Sequence, residues 1–164
     1  MEDMPSRTFQ CSEIWGGNRK IEQAVQVGKL NGYLLSIPYE STAGGDIHFL
    51  SLCEQARLSK IVIADVSGHG DIVSRIASEL RALLQEHVNE IDNSRLLKSM
   101  NESLRRKLHD GRFVTMVTAT FHCEKRELIY AYAGHPSLFR YHKSARQWQI
   151  LETDLDSGGV PLGI

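Results

Sequence analysis

Short apolar runs toward both ends of the chain and a helical repeat in its middle predict the order of secondary structure. The runs are rich in β-branched and aromatic residues and are separated by Gly, Pro or charged residues, which is typical of strands. The predicted strands cover residues 9–14, 33–37, 47–52, 61–64, 113–122, 128–133, 138–142 and 148–151. Trp15-Gly16-Gly17-Asn18 predicts a turn, and residues 19–27 have too few apolar positions for an assignment.

Two amphipathic helices are predicted between Asp71 and Gly111. The first has apolar residues every three or four positions, at Ile72, Ile76, Leu80, Leu83, Leu84 and Val88. The second follows the capping residues at 92–94, ends at 109–111, and has its apolar residues at Leu96, Leu97, Met100, Leu104 and Leu108. Strands, then helices, then strands again predict an α+β fold with helices packed on antiparallel sheets.

Composition and charge narrow the class of protein. The chain has 164 residues, with 41% hydrophobic and 24% charged residues, which fits one globular domain. We assign residues 9–164 to that domain and expect residues 1–8 to be a flexible N-terminus. The formal net charge of -1 offers no basic surplus for nucleic acid, and no apolar run is long enough for a membrane span. The start lacks the apolar core of a signal peptide, and three cysteines without C-x-x-C spacing indicate a reducing cytoplasm.

Two aspartates lie at the ends of strands that we predict to be neighbours. Asp65 follows the run 61–64 and precedes a glycine-containing turn, whereas Asp46 follows two glycines and precedes the strand 47–52. If the two strands are antiparallel neighbours, both acids lie at the same edge of the sheet. The alternative, that each aspartate serves only its turn, stays open from spacing alone. A nucleophile elbow around Ser67 and a P-loop are excluded because their motifs are absent.

The segment Asp65-Val66-Ser67-Gly68-His69-Gly70 resembles the D-x-S-G-H-G signature of metal-dependent (PPM-type) serine/threonine phosphatases, in their bacterial SpoIIE-like branch. Four other segments match further landmarks of that branch in the right order: Gly44-Gly45-Asp46, Phe113-Val114-Thr115, Ala133-Gly134-His135-Pro136 and Gly159-Val160-Pro161-Leu162-Gly163. The resemblance extends from about Cys11 to Ile164. It implies an antiparallel β-sandwich with flanking helices, an αββα arrangement.

The resemblance also implies a site for two Mn²⁺ or Mg²⁺ ions. Asp46 and Asp65 would be carboxylate ligands, and the carbonyl of Val66 would be a backbone ligand. His69 would contact the substrate or take part in proton transfer, with capping of backbone groups as the alternative; for His135 we expect a structural role. The implied reaction is hydrolysis of phosphoserine or phosphothreonine on a regulatory protein in bacterial signalling.

The sequence departs from the family pattern at its C-terminal end. Members of that branch carry further ligands in a Thr-Asp-Gly segment and in a later aspartate, and neither follows Pro161-Leu162-Gly163 here. We therefore expect a domain truncated at its C-terminal end, which binds metal weakly and turns over little substrate. A non-catalytic phosphatase-like module that binds a regulatory partner protein is the alternative function. The oligomeric state stays open, with a homodimer among the alternatives.

Overall fold

The computed structural model describes residues 6–39, 42–53, 55–151 and 159–164. Twelve elements lie in these residues, beginning with six strands and ending with four. The first strands are β1 (Arg7–Thr8), β2 (Ile14–Arg19), β3 (Ile21–Val27), β4 (Leu30–Ser36), β5 (Ala43–Cys53) and β6 (Leu58–Val66). The two helices are α1 (Asp71–Glu86) and α2 (Asn93–Arg105). The last strands are β7 (Val114–His122), β8 (Glu127–Ala133), β9 (Leu138–His142) and β10 (Gln147–Leu151).

A five-stranded sheet forms the centre of the fold. Its strand order is β2-β5-β6-β7-β8, and every neighbouring pair is antiparallel. The strands β1, β3 and β4 form a second sheet, and β9 and β10 form a separate two-stranded sheet. The predicted α+β class, with antiparallel sheets and packed helices, is confirmed. Residues 1–8 were predicted to be a flexible N-terminus. At the end of that segment, Arg7 and Thr8 form β1, which pairs in parallel with β3.

Apolar residues cover both faces of the five-stranded sheet. On one face, α1 and α2 pack over β5, β6 and β7, and Phe49, Leu80 and Leu96 are among the fully buried side chains. On the other face, the second sheet encloses a smaller core made of Phe9, Val25, Val27, Leu50 and Leu52. Side chains alternate between the faces of a strand, so residues next to the helix-facing positions point toward the second sheet. In the described residues, neither helix is long and apolar enough to cross a bilayer.

The N-terminal strands differ from the sequence prediction. The predicted turn at 15–18 is wrong, because these residues lie inside β2, and residues 19–27, left without an assignment, contain all of β3. The two glycines continue the strand since β2 passes very close to β5. A Cβ atom on Gly16 would lie 2.6 Å from the carbonyl oxygen of His48, so only glycine fits there.

The first helix buries Leu80, Leu83 and Leu84 as predicted, but its first turns face the core with other residues than the predicted ones. Its buried residues include Val73 and Ala77, whereas Ile72 is 52% exposed. The reason lies at the start of the helix, where methyl groups of Val73 lie 2.9 and 3.3 Å from the positions that Cβ atoms on Gly45 and Gly68 would occupy. These glycines let the helix approach β5 closely with Val73 inward, and that turns Ile72 toward solvent.

The second helix is fixed to the sheet by a buried polar side chain, Asn93. Its amide oxygen accepts hydrogen bonds from the hydroxyls of Thr118 and Thr120, each at 3.0 Å. Its amide nitrogen donates to the carbonyl of Ile129 at 2.9 Å. The preceding residue, Asp92, caps the helix by accepting from two backbone N–H groups. Asp92 therefore sets the start of α2, and Asn93 sets its position over β7 and β8.

We expect Asn93→Ala to lower the free energy of unfolding by about 2–4 kcal/mol, because it leaves two buried hydroxyls and a carbonyl without partners. Urea denaturation measures the change. Thr118→Val is the matched control; it should cost about 1 kcal/mol, since Thr120 still donates to the amide. An Asn93→Ala protein as stable as the wild type would contradict this role.

Candidate functional site

Asp46 and Asp65 face each other across one position of the central sheet. In the antiparallel pairing of β5 and β6 they are direct partners, which confirms the prediction that their strands are antiparallel neighbours. Asp46 lies inside β5 rather than before it, because the small residues from Ala43 onward already belong to the strand. Side chains of direct partners lie on the same face with Cβ atoms about 5 Å apart. The two carboxyl groups are close enough to share a hydrogen bond.

The proximity of the two acids changes the ionisation of one of them. Burial raises the pKa of the Asp65 carboxyl above its ordinary value, and the negative charge of Asp46 and the hydrogen bond between the two groups raise it further. Two carboxylates held this close repel each other when both are ionised. A cation between them would remove that repulsion, so the electrostatics of the pair suit a cation site.

A third oxygen donor, the carbonyl of Val66, lies beside the acids. The carbonyl oxygen is 2.9 Å, and Oδ1 of Asp65 is 3.2 Å, from the position that a Cβ on Gly45 would occupy. The glycine thus leaves a small space that both oxygens border. Carboxylate and carbonyl oxygens are the donors that Mg²⁺ and Mn²⁺ prefer.

These donors fit a divalent cation but supply few ligands. In the part of the chain that the structure describes, no group of three or more His, Cys, Asp or Glu side chains could hold a metal ion. Among the described residues, the protein ligands of the site are therefore two carboxylates and one backbone carbonyl, and water would complete the coordination. Mg²⁺ tolerates this arrangement because it usually keeps several of its waters.

The loop that follows Asp65 is held by Ser67. The hydroxyl of Ser67 accepts from the backbone N–H of Phe113 at 2.9 Å, and the backbone N–H of Ser67 donates to the carbonyl of Phe113 at 2.9 Å. Gly68 has φ of +102°, and Nη1 of Arg112 lies 3.2 Å from where its Cβ would be. The serine and the glycine of the motif therefore shape the loop.

His69 lies at the open side of this loop, in the same cleft as the two acids. The cleft is lined on its other wall by Pro38 and Tyr39. The side chain of His69 is exposed, and no backbone cap by its ring is found among the described residues. The structure thus brings together all three predicted catalytic residues, Asp46, Asp65 and His69.

Two further side chains join the acids, and the sequence analysis assigned no catalytic or binding role to either. Thr115 on β7 is the direct partner of Asp65, so Asp46, Asp65 and Thr115 form one row across three strands. The hydroxyl of Thr115 lies 2.9 Å from Nδ1 of His135, which follows β8. Both residues belong to recognised landmarks, but only the register of β6 and β7 shows that they reach the acid pair.

Three known proteins are similar to this chain in sequence or in fold. The chain is 28% identical over 145 residues to the phosphoserine phosphatase RsbU of Bacillus subtilis (strain 168), which covers 87% of this chain and 39% of RsbU. The structure of the RsbU and RsbW domains of a Mycobacterium tuberculosis protein matches 96% of this chain and 40% of that chain, with a TM-score of 0.65 at 19% identity. The SiaA-PP2C domain of Pseudomonas aeruginosa matches 90% of this chain and 50% of its own, with a TM-score of 0.58 at 18% identity.

The fold and the paired acids define a phosphatase-like domain of the PPM type. Residues 56–164 match the family model described as Stage II sporulation protein E (SpoIIE), so the chain belongs to the SpoIIE family. The two solved structures share too little sequence with the chain to show more than the fold. The chain spans about two fifths of the length of RsbU, the curated relative that it matches.

We expect Gly45→Ala to weaken Mn²⁺ binding at least tenfold, because the new methyl group would lie 2.9 Å from the Val66 carbonyl oxygen and from a Val73 methyl group. Overpacking of this kind also costs about 1–3 kcal/mol of stability. Calorimetric titration and urea denaturation measure the two effects. Gly17→Ala is the control, since its Cβ would meet only the His48 ring at 3.8 Å. Unchanged metal affinity in Gly45→Ala would show that this space is not the cation site.

The raised pKa of Asp65 predicts how the metal-free protein responds to pH. Because the folded state favours the protonated acid, its contribution to stability is present below the ordinary pKa of aspartate and is lost as pH rises through the raised value. Asp65→Asn should therefore raise the Tm at pH 7 and change it little at pH 4. Asp110→Asn, in the exposed loop after α2, is the control. An equal loss of Tm at both values of pH would contradict the repulsion.

Proposed function

We propose that this chain carries the catalytic site of a metal-dependent protein phosphatase, which hydrolyses phosphoserine or phosphothreonine on a regulatory protein in bacterial signalling. The observation that carries the proposal is the pair Asp46 and Asp65, direct partners across β5 and β6, with the Val66 carbonyl beside them. The family match and the likeness to a phosphoserine phosphatase support the reaction class.

In this proposal, Asp46, Asp65 and the carbonyl of Val66 hold Mn²⁺ or Mg²⁺, and two ions are expected in the complete site. The chemistry that such cations supply when bound is a more acidic water and shielding of the phosphoryl charge. The strands would keep the two carboxylates that hold the cations at a fixed separation before the substrate arrives. His69, exposed at the rim of the same cleft, contacts the phosphorylated residue or moves a proton.

The proposed substrate is a folded protein or an exposed segment of one, because the cleft is open at the rim that His69 forms. The three cysteines are free thiols, which fits the reducing cytoplasm where we place the protein. The alternative function is a non-catalytic module that binds a regulatory partner protein, and the small number of metal ligands among the described residues favours it. The acid pair argues against it, because a module that only binds a partner gains nothing from two acids that repel each other.

We expect Mn²⁺-dependent hydrolysis of a phosphomonoester, and a loss of at least about 100-fold in kcat/KM for Asp65→Asn, because a carboxylate ligand is removed. Release of phosphate from p-nitrophenyl phosphate and from a phosphoserine peptide is measured with and without chelator. The 164-residue chain and the full product of its gene are both assayed. Asp110→Asn is again the control. Activity that survives chelation, or survives Asp65→Asn, would mean a different chemistry.

The ligand count also sets an expectation for the chain as it stands. With two carboxylates and one carbonyl, Mn²⁺ should bind with a Kd weaker than about 10 μM, or less than about 7 kcal/mol of binding free energy. Calorimetric titration of the 164-residue chain gives this value directly. Tighter binding would show that the site has ligands beyond these three.

A further inference from the structure

The turn after β8 brings an imidazole ring to the row of acids. The ring of His135 is half-buried, its Nδ1 lies 2.9 Å from the hydroxyl of Thr115, and the charge of Asp46 acts on it. Thr115 is in turn the direct partner of Asp65. A histidine with a purely structural role in a turn does not need these contacts with the row of acids. We therefore consider a role for His135 in ligand binding.

The backbone around His135 is fixed from two sides. Gly134 forms a bridge to Met116 of β7, and its φ is +65°, a conformation that favours glycine. A Cβ on Gly134 would lie 2.5 Å from Cγ of Pro161, so the C-terminal segment packs directly on the turn. Leu162 next to that proline exchanges two backbone hydrogen bonds with Val114, at 2.8 and 3.0 Å. The ring is therefore held in place before any ligand arrives.

Only one ring nitrogen of His135 is without a hydrogen-bond partner among the described residues. Nδ1 is engaged by Thr115, and Nε2 has no hydrogen-bond partner among the described residues. Burial lowers the pKa of the ring below its ordinary value, an effect that the charge of Asp46 opposes, so the ring is neutral at pH 7 and carries one proton. A proton on Nε2 lets the Thr115 hydroxyl donate to Nδ1 and leaves an N–H group for a ligand.

We propose that His135 is a substrate-binding residue of this site: Thr115 donates to Nδ1, and the Nε2–H group donates a hydrogen bond to a phosphoryl oxygen. The inference rests on the proposed function, because the phosphoryl group is brought there by cations on Asp46 and Asp65. The donor lies in the turn after β8 and acts in addition to the positive charge of the cations. Thr115 selects the tautomer of the His135 ring.

The tautomer can be measured without any metal. In ring ¹H–¹⁵N correlation spectra, His135 should show the Nε2–H form in the wild type and in Thr115→Ser, which keeps the hydroxyl. Thr115→Val should lose this preference, because valine has the same shape but cannot donate. An Nδ1–H form in the wild type would overturn the assignment of Thr115 as donor and with it the proposal.

Phosphate binding tests the donor itself. We expect His135→Ala to raise the Kd for inorganic phosphate in saturating Mn²⁺, and the KM for p-nitrophenyl phosphate, by about 10–100-fold, the usual worth of a hydrogen bond to a charged group. His135→Gln keeps an N–H group near the position of Nε2 and should recover part of this loss. The Kd for Mn²⁺ should change less than about twofold in both variants. His142→Gln on β9 is the control for loss of a histidine elsewhere.

The outcomes separate this inference from the proposed function. If the wild type hydrolyses the ester and His135→Ala and His135→Gln leave phosphate affinity and KM unchanged, His135 is structural and the proposal fails. If the wild type shows no metal-dependent hydrolysis, the proposed function fails, and phosphate binding with Mn²⁺ still decides the role of His135. If His135→Ala does not fold, as judged by circular dichroism, Thr115→Val and His135→Gln carry the test.

Discussion

The contact between Asp46 and Asp65 is the constraint on which the rest of the site depends. The two acids cannot move apart, because the pairing of β5 and β6 makes them partners. That register is fixed in turn by the opposite face, where Ile47 and Ala64 are partners and are buried under the helices. A shift by one residue would turn the acids into the apolar core, which the free energy of burying charge forbids. The hydrophobic core thus holds together two groups that repel each other.

The sequence landmarks meet in space because of β7. This strand pairs with β6 along its length, and its first residues also pair with Gly134 and Leu162. Phe113, directly before the strand, bonds to Ser67. Segments that lie far apart in the chain therefore converge on the start of one strand. Some of the glycines among them, such as Gly45 and Gly134, mark places where backbone or side chain passes too closely for a Cβ. The residues of these landmarks therefore allow the segments to come together at the acid pair.

Much of this arrangement could be predicted from the sequence. The parts that could not be predicted have physical reasons. Strands such as β6 and β7 were predictable because they are rich in β-branched residues. The strand β2 was not, since glycines that favour turns also permit the close approach of two strands. The acids were found from the motif, but Thr115 and His135 were assigned no part in the site, because a contact between strands depends on register. Short-range patterns do not encode register.

Two polar clusters of this protein differ in how far the protein itself satisfies their polar groups. At Asn93 the buried amide and its two threonine donors satisfy each other, and the cluster needs no further partner. At Asp46 and Asp65 two acids face each other on one side of the sheet, and the charge of Asp46 adds to the effect of burial in raising the pKa of Asp65. Both clusters sit on rigid strands of the same sheet. The first cluster is neutral and satisfied by the protein itself, whereas the second places two acids in one open cleft, and that contrast is the physical basis for proposing a cation there.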